Sequence, residues 1–303
     1  MRYGLVVSMS NNNSELISVV VPCFNSGKTI KRTIESLKNQ TWHNKEIIIV
    51  NDGSNDKETL KVLDSFEDIL IINQENLGLS AARNIGALKS RGRFVFFIDS
   101  DDWIEENSLE LMFNYFKENS KNKKKFYVFS DIVLEGKYKK IVKKNYNFFE
   151  QLFLNQIPYS IFIEKNTLLL NNGYDEDMKL GYEDWEFNIR LGANNIFGKR
   201  LPLPLFHYYV SNSGMLISKS SKYHAKIWNY IINKNSELYK PKNILKNWRF
   251  WRKKESSYPL IIFCICYVFF KILPNKFSSN LFLMLRNIKW FFTRNKFFNQ
   301  KDL

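Results

Sequence analysis

Two carboxylates separated by a single residue follow an apolar segment, and this spacing suits a metal ion. Asp99 and Asp101 come directly after residues 94–98, which are all apolar. Neighbouring carboxylates repel each other, and a divalent cation between them removes the repulsion. Oxygen ligands suit Mg²⁺ or Mn²⁺. The residues alone leave an alternative, in which this segment is a solvated turn and Asp102 caps a helix.

Two further polar clusters, at residues 22–26 and 51–54, also end predicted strands. Runs of β-branched residues predict buried strands, and helical spacing of apolar residues predicts the segments between them. The predicted strands are residues 17–22, 45–50, 69–73, 94–98 and 126–133, and the predicted helices are residues 25–40, 57–66 and 79–90. Alternation of this kind indicates a parallel sheet with helices on both faces. Ligands bind at the carboxyl ends of such strands, so the three clusters predict one site.

The sequence lacks two common phosphate-binding motifs. Gly27-Lys28-Thr29 follows a strand as a P-loop would end, but Pro22 occupies the place of the first P-loop glycine. No G-x-G-x-x-G follows the first strand, so the fingerprint of a dinucleotide fold is absent from the sequence.

Charge is distributed unevenly along the chain. The formal net charge is +15, yet residues 1–216 carry 27 basic and 27 acidic side chains. The last 87 residues carry 18 basic and 3 acidic ones. With 45% apolar and 25% charged residues the composition is that of a globular protein. The three cysteines have no ligand spacing, which favours neither a zinc site nor a disulfide framework.

Four ordered motifs resemble those of the family two glycosyltransferases, which have the A-type fold. The motifs are VVVPCFN at 19–25, EIIIVNDGS at 46–54, NLGLSAARNIG at 76–86 and FIDSDD at 97–102. The acidic segment EDWE at 183–186 is similar to the start of an acidic helix in that family. The resemblance covers roughly residues 16–216 and excludes the basic tail.

The resemblance implies an α/β fold with a single mixed, mostly parallel sheet flanked by helices. A Rossmann-like nucleotide half would lead into a helical, basic C-terminal region. We expect a catalytic domain over residues 15–216, with a nucleotide-sugar half at 15–120 and an acceptor half at 121–216. The tail would then comprise residues 217–303.

The resemblance also implies roles for residues around a nucleotide sugar. Asp52 lies where the family accepts a hydrogen bond from the uracil ring N–H of a UDP-sugar. Arg83 would lie near the nucleotide and its phosphates, where a guanidinium suits anionic oxygens. The other residues implied to line this pocket are Pro22, Phe24, Asn25, Ser100 and, on the ribose side, Asp99.

Catalytic roles follow from the same resemblance. Asp101 would hold a Mn²⁺ or Mg²⁺ ion that bridges the diphosphate, which neutralises charge on the leaving group. Asp184 would be the general base that takes the proton of the acceptor hydroxyl, giving inversion in one displacement. Glu183 is the alternative base. Both acids could instead simply complement the dipole of a helix N-terminus.

One segment departs from the family pattern. Residues 206–213 are similar to the segment that closes over the diphosphate. Tyr209 and Ser211 stand where the family has an arginine and a histidine. His207 is out of register with that histidine, so we expect it to be structural. The resemblance therefore leaves open how the diphosphate is clamped.

The basic tail interleaves aromatic residues with lysine and arginine at residues 248–254 and 290–298. This composition favours a membrane surface, with packing on the catalytic domain and nucleic-acid binding as alternatives. The longest apolar run, residues 258–270, is too short to cross a bilayer. We expect a cytoplasmic protein, peripheral on the inner membrane of a bacterium, that binds no nucleic acid.

These observations predict an enzyme that moves a sugar from a UDP-sugar to a glycan or lipid-linked glycan acceptor. Capsule, lipopolysaccharide or another surface polysaccharide would be the product. Transfer to polyprenyl phosphate is one alternative. A protein that binds nucleotides or nucleic acid without catalysis is the alternative from a different class.

Overall fold

The computed structural model describes residues 15–122, 124–136, 139–210, 223–254 and residue 263. The chain divides into two compact units. The first extends to Lys179 and resumes over Glu183–Ser211, and the second comprises Leu180–Tyr182 and the chain from Asn212 onward.

The first unit opens with alternating strands and helices. These elements are β1 (Ile17–Cys23), α1 (Ile30–Lys38), β2 (Lys45–Asp52), α2 (Lys57–Asp64), β3 (Leu70–Gln74), α3 (Leu79–Lys89) and β4 (Phe94–Phe97). Later elements are β5 (Trp103–Ile104), α4 (Ser108–Asn119), β6 (Phe126–Gly136), β7 (Lys140–Val142), α5 (Phe148–Gln151), β8 (Phe162–Glu164), α6 (Lys165–Leu170), α7 (Glu183–Ala193) and β9 (Phe197–Val210). In the second unit, the described α-helices are α8 (His224–Lys234) and α9 (Pro241–Trp251).

The strands of the described chain form one mixed sheet in the order β3-β2-β1-β4-β8-β6-β9-β5, with β7 paired to β6. Parallel pairing joins β1 to β2 and β4, β2 to β3, and β6 to β9. The shorter ladders, β4 with β8, β5 with β9, and β6 with β7 and β8, are antiparallel. The prediction of an α/β fold with a mixed, mostly parallel sheet is confirmed.

Both faces of the sheet are buried because its central strands are apolar throughout. On β1, Val19 and Val21 join one core cluster, whereas Val20 joins the cluster on the opposite face. Helices α1 and α4 cover the first face, and α3 and α7 cover the second. Such coverage explains why β1 lacks the alternation of apolar and polar residues found in half-exposed strands.

The predicted helix over residues 25–40 is wrong at its start. Helix α1 begins only at Ile30. Asn25 adopts a left-handed backbone with φ of 52°. Its side chain accepts hydrogen bonds from the N–H groups of Asn55 and Asp56 at 2.9 and 3.3 Å. A residue in this conformation cannot open a right-handed helix, so residues 25–29 form a loop at the sheet edge.

No helix in the described ranges is long and apolar enough to cross a membrane. The apolar run at residues 258–270 lies outside those ranges except for residue 263.

Close packing of α3 on the sheet depends on Gly86. A Cβ atom at this position would lie 2.3 Å from Cγ1 of Val20 and 3.1 Å from Cγ2 of Val50.

We expect Gly86→Ala to lower the free energy of unfolding by about 1–3 kcal/mol through overpacking. Urea denaturation would measure this free energy of unfolding. Leu88→Ala, on the exposed side of the same helix, should change it by less than about 0.5 kcal/mol. Equal stability of the Gly86 variant and the parent would contradict the close approach.

Candidate active site

Three polar segments meet at the carboxyl ends of β1, β2 and β4. The Ser100 hydroxyl donates to the Ser26 hydroxyl at 2.8 Å. The Asn25 N–H donates to the Ser54 hydroxyl at 3.0 Å. The structure thus brings together the three clusters that the sequence predicted to lie at one edge of the sheet.

The loop after β1 presents one apolar ring to solvent. Pro22 is buried within β1, opposite Val50. Phe24 is 46% exposed, and Asn25 is held by the loop after β2. Phe24 therefore offers a ring face at the rim of the site, whereas Pro22 and Asn25 shape the backbone around it.

Asp52 fixes the turn before α3. Its Oδ1 accepts hydrogen bonds from the Leu77 N–H at 2.8 Å and from the Gln74 amide at 2.7 Å. Its Oδ2 accepts one from the Gly78 N–H at 2.9 Å. A carboxylate has about four acceptor positions. Three are filled, so one position on Oδ2 remains for a further donor.

Arg83 is a buried cation between two carboxylates. Its two terminal nitrogens donate to Asp99 at 2.8 Å and to Glu183 at 2.6 Å. The guanidinium carbon lies 4.7 Å from the centre of the Tyr159 ring and 5.3 Å from that of Tyr174. This network joins α3 to the end of β4 and to the start of α7.

The environment of Arg83 differs from the one implied by the family resemblance. The side chain is only 1% exposed, and its two terminal nitrogens donate to carboxylates, whereas the buried Nε–H has no partner in the described chain. Little of the guanidinium is therefore accessible to a phosphate. In this structure Arg83 therefore positions other site residues. Asp99, 26% exposed, is the member of the network that reaches the site surface.

Asp102 is a fully buried connector, whereas Asp99 and Asp101 are partly exposed, so the alternative of a solvated turn is wrong at Asp102. Its carboxylate accepts hydrogen bonds from the Tyr159 hydroxyl and from the Tyr209 N–H. The Tyr159 oxygen in turn accepts from the Asp99 N–H at 2.9 Å. Burial raises the pKa of Asp102 well above its usual range. The N-cap of α4 is Asn107, so Asp102 does not cap that helix.

Asp101 lies beside this connector with different surroundings. It is half-buried, and no other residue of the described chain donates a hydrogen bond to its carboxylate. Burial, and then the charge of Asp99, raise the pKa of Asp101 to about 6. A carboxylate that is partly removed from water and receives no hydrogen bond from another residue is costly unless a cation or a proton accompanies it.

The residues fit a divalent cation shared with a substrate. Within the described ranges, no group of three His, Cys, Asp or Glu side chains is suited to hold a metal by itself. Mg²⁺ is usually bound by one or two carboxylates together with substrate phosphates. Asp101 supplies such a carboxylate, and Asp99 lies two residues away.

Glu183 and Asp184 open α7, as predicted, but have different partners. Glu183 binds Arg83, whereas Asp184 Oδ2 accepts a hydrogen bond from the Asn155 amide at 2.8 Å. Asp184 Oδ1 accepts one from the Trp185 N–H at 2.8 Å. Glu183 is thus neutralised by a cation, while Asp184 has neutral donors. Burial raises the pKa of Asp184, which makes its carboxylate a stronger base.

Two residues of this site carried no signal in the sequence. Asn155 and Tyr159 lie in the segment between α5 and β8, which has neither periodicity nor a motif. Their importance follows only from tertiary contacts with Asp184 and Asp102.

Arg32 is a third residue that sequence reasoning missed. Its guanidinium carbon lies 3.7 Å from the centre of the Trp103 ring and 5.2 Å from that of Tyr209. One nitrogen donates to the Asp101 carbonyl at 2.7 Å. On α1 it occupies an exposed helical position, which gave no reason to place it near the carboxylates.

The segment that departs from the family pattern lies partly on β9. His207 contacts Glu105 at 2.7 Å and Glu135 at 3.3 Å, and its ring stacks on Trp103. These contacts agree with a structural role. Tyr209 pairs its N–H with Asp102, and Ser211 lies outside the described residues.

The chain is similar to proteins that act on sugars. The family model described as Glycosyl transferase family 2 matches residues 18–176. Poly(ribitol-phosphate) beta-N-acetylglucosaminyltransferase TarP of Staphylococcus aureus is 41% identical over 128 residues, which are 40% of this chain and 36% of that protein. Glycosyltransferase GlyA of Streptococcus pneumoniae is 36% identical over 157 residues, covering 46% of this chain and 22% of GlyA.

Solved structures share the fold. S. aureus TarS 1–349 in complex with UDP-GlcNAc has a TM-score of 0.59 at 19% identity, covering 71% of this chain and 65% of that one. This chain spans less than half the length of TarP and GlyA. The match to the family model nevertheless extends over more than half of this chain and includes the loops after β1, β2 and β4, whereas Glu183 and Asp184 lie beyond it. The chain belongs to glycosyl transferase family 2.

Proposed function

We propose that this chain transfers a sugar from a UDP-sugar to a glycan acceptor, with inversion at the anomeric carbon. The observation that carries the proposal is a pair of carboxylates with different surroundings. Asp101 receives no hydrogen bond from any other described residue, whereas Asp184 is held by Asn155. Family membership supports it. The name of TarP and the UDP-GlcNAc complex of TarS support the choice of donor.

The UDP-sugar would bind to the nucleotide-sugar half of the chain, residues 15–120. The uracil N–H would donate to the remaining acceptor position on Asp52, and the exposed Phe24 ring would pack against the nucleoside. Pro22, Asn25 and Ser100 would define the loops around it. Asp99, oriented by Arg83, would face the ribose. Arg83 itself would orient carboxylates instead of contacting the phosphates.

The diphosphate would lie beside Asp101. This carboxylate, with Asp99 near it, would hold Mg²⁺ or Mn²⁺. A bound divalent cation supplies Lewis acidity that stabilises negative charge on the leaving diphosphate without a proton. Arg32, whose guanidinium reaches the Asp101 carbonyl, would add positive charge on the same side.

Asp184 would be the general base. A hydroxyl is a poor nucleophile until a base accepts its proton during attack. Asp184 would take that proton from the side of the sugar opposite the leaving group, which produces inversion. Glu183 is ion-paired with Arg83 and would act by orienting the network.

The acceptor would bind residues 121–216. A glycan or lipid-linked glycan of a bacterial capsule, lipopolysaccharide or similar polysaccharide fits the relatives, and the reaction would take place at the cytoplasmic face of the inner membrane. Residues 217–303 would form a separate basic tail.

Replacing Asp184 with asparagine tests the base. The variant keeps the shape of the side chain but cannot accept the proton, so kcat should fall by about 10²–10⁴-fold. Affinity for the UDP-sugar should change little, because the base acts on the acceptor. Transfer by purified protein and calorimetric titration with UDP-sugar give the two readouts. Asp64→Asn, at an exposed position of α2, is the matched control. Normal transfer by the Asp184 variant would refute the role.

The pH dependence of transfer tests the position of Asn155. Because burial raises the pKa of Asp184, activity should fall as the pH drops through a value above the usual 3.9 of aspartate. Asn155→Ala removes a hydrogen-bond donor that favours the charged form of the Asp184 carboxylate. The acidic limb of kcat/KM should therefore move upward by about one pH unit.

The exposed Asn107 provides the control for this shift, and Asn107→Ala should leave the limb in place. An unchanged acidic limb in the Asn155 variant, with normal circular dichroism, would show that this amide does not tune Asp184.

A further inference from the structure

Helix α9, in the second unit, has an exposed face that combines apolar and basic side chains. We call it the α9 face, and its members are Lys242, Leu245, Lys246, Arg249 and Phe250. Phe250 is 67% exposed and Leu245 is 42% exposed. The five side chains together line a shallow hollow on the helix.

The spacing of these residues places them on one side of the helix. They occur at positions i, i+3, i+4, i+7 and i+8 from Lys242, which is the periodicity of a single helical face. Three cations thereby surround two apolar side chains. No aspartate or glutamate occurs in residues 238–254, so no acidic residue from this stretch neutralises the face.

The helix does not need this face for its own packing. Trp251 is 7% exposed and is the buried residue of α9. Lysine and arginine beside exposed aromatic and aliphatic side chains match an interface where apolar groups enter the headgroup region and cations meet lipid phosphates. A nucleic acid would also satisfy the cations, but its phosphate backbone gives Leu245 no apolar environment.

We propose that the α9 face binds the surface of an anionic lipid bilayer. Phe250 and Leu245 insert among the headgroups, and Lys242, Lys246 and Arg249 contact lipid phosphates. The inference goes beyond the proposed transferase activity, since it concerns the second unit and requires no substrate. Membrane binding and sugar transfer can therefore fail independently.

Flotation of the full chain with vesicles tests the proposal. We expect binding to vesicles that contain phosphatidylglycerol and little binding to pure phosphatidylcholine. Each cation near a charged surface contributes roughly fivefold to the partition coefficient. Lys242→Gln, Lys246→Gln and Arg249→Gln combined should lower it about a hundredfold. Phe250→Ala should lower it about tenfold.

A matched variant separates this face from net charge. Lys38, Lys57 and Lys61 are exposed on α1 and α2 of the first unit, and their combined change to glutamine removes the same charge. This variant should bind vesicles as the parent does. Circular dichroism of each variant verifies that it is folded.

Three results would overturn the proposal. They are absence of binding to anionic vesicles, equal binding by the parent and the folded α9 triple variant, and equal loss in the control triple variant. A mobility shift with single-stranded RNA that depends on the α9 face, without vesicle binding, would assign the face to nucleic acid instead.

Discussion

The ion pairs of Arg83 with Asp99 and Glu183 are the constraint on which the site depends. A buried guanidinium is tolerated only when carboxylates accompany it, and loss of one partner from such a network costs about 3–5 kcal/mol. The network fixes the end of β4 against the start of α7. It therefore determines where Asp101 and Asp184, which follow Asp99 and Glu183, present their carboxylates.

This arrangement determines which groups can neutralise the negative charge of a substrate. Residues 1–216 are formally neutral, and Arg83 is enclosed by its own partners. A diphosphate would consequently depend on a cation at Asp101 and on Arg32 at the rim of the site. The excess positive charge belongs to residues 217–303, and the proposed contact of the α9 face with lipid phosphates would use three of these cations.

Much of this structure could be predicted from the sequence, because buried parallel strands and their polar ends have strong local patterns. The sheet edge followed from such patterns, and the start of α7 at Glu183 followed from the resemblance of residues 183–186 to an acidic helix start. Asn155, Tyr159 and Arg32 could not be found, because their roles arise from contacts between distant segments. The enclosure of Arg83 was missed for the same reason, since its second carboxylate lies 100 residues away.

The central claim is that Asp101 and a divalent cation neutralise the charge of a UDP-sugar. Metal-dependent release of UDP is the most direct measurement of this claim. A panel of UDP-sugars with Mn²⁺ or Mg²⁺ needs no acceptor. We predict release of UDP from at least one donor, abolished by chelation and by Asp101→Asn and retained in Asp64→Asn. Release at an unchanged rate after chelation, or in Asp101→Asn, would contradict the claim, as would failure of every donor to be hydrolysed or bound.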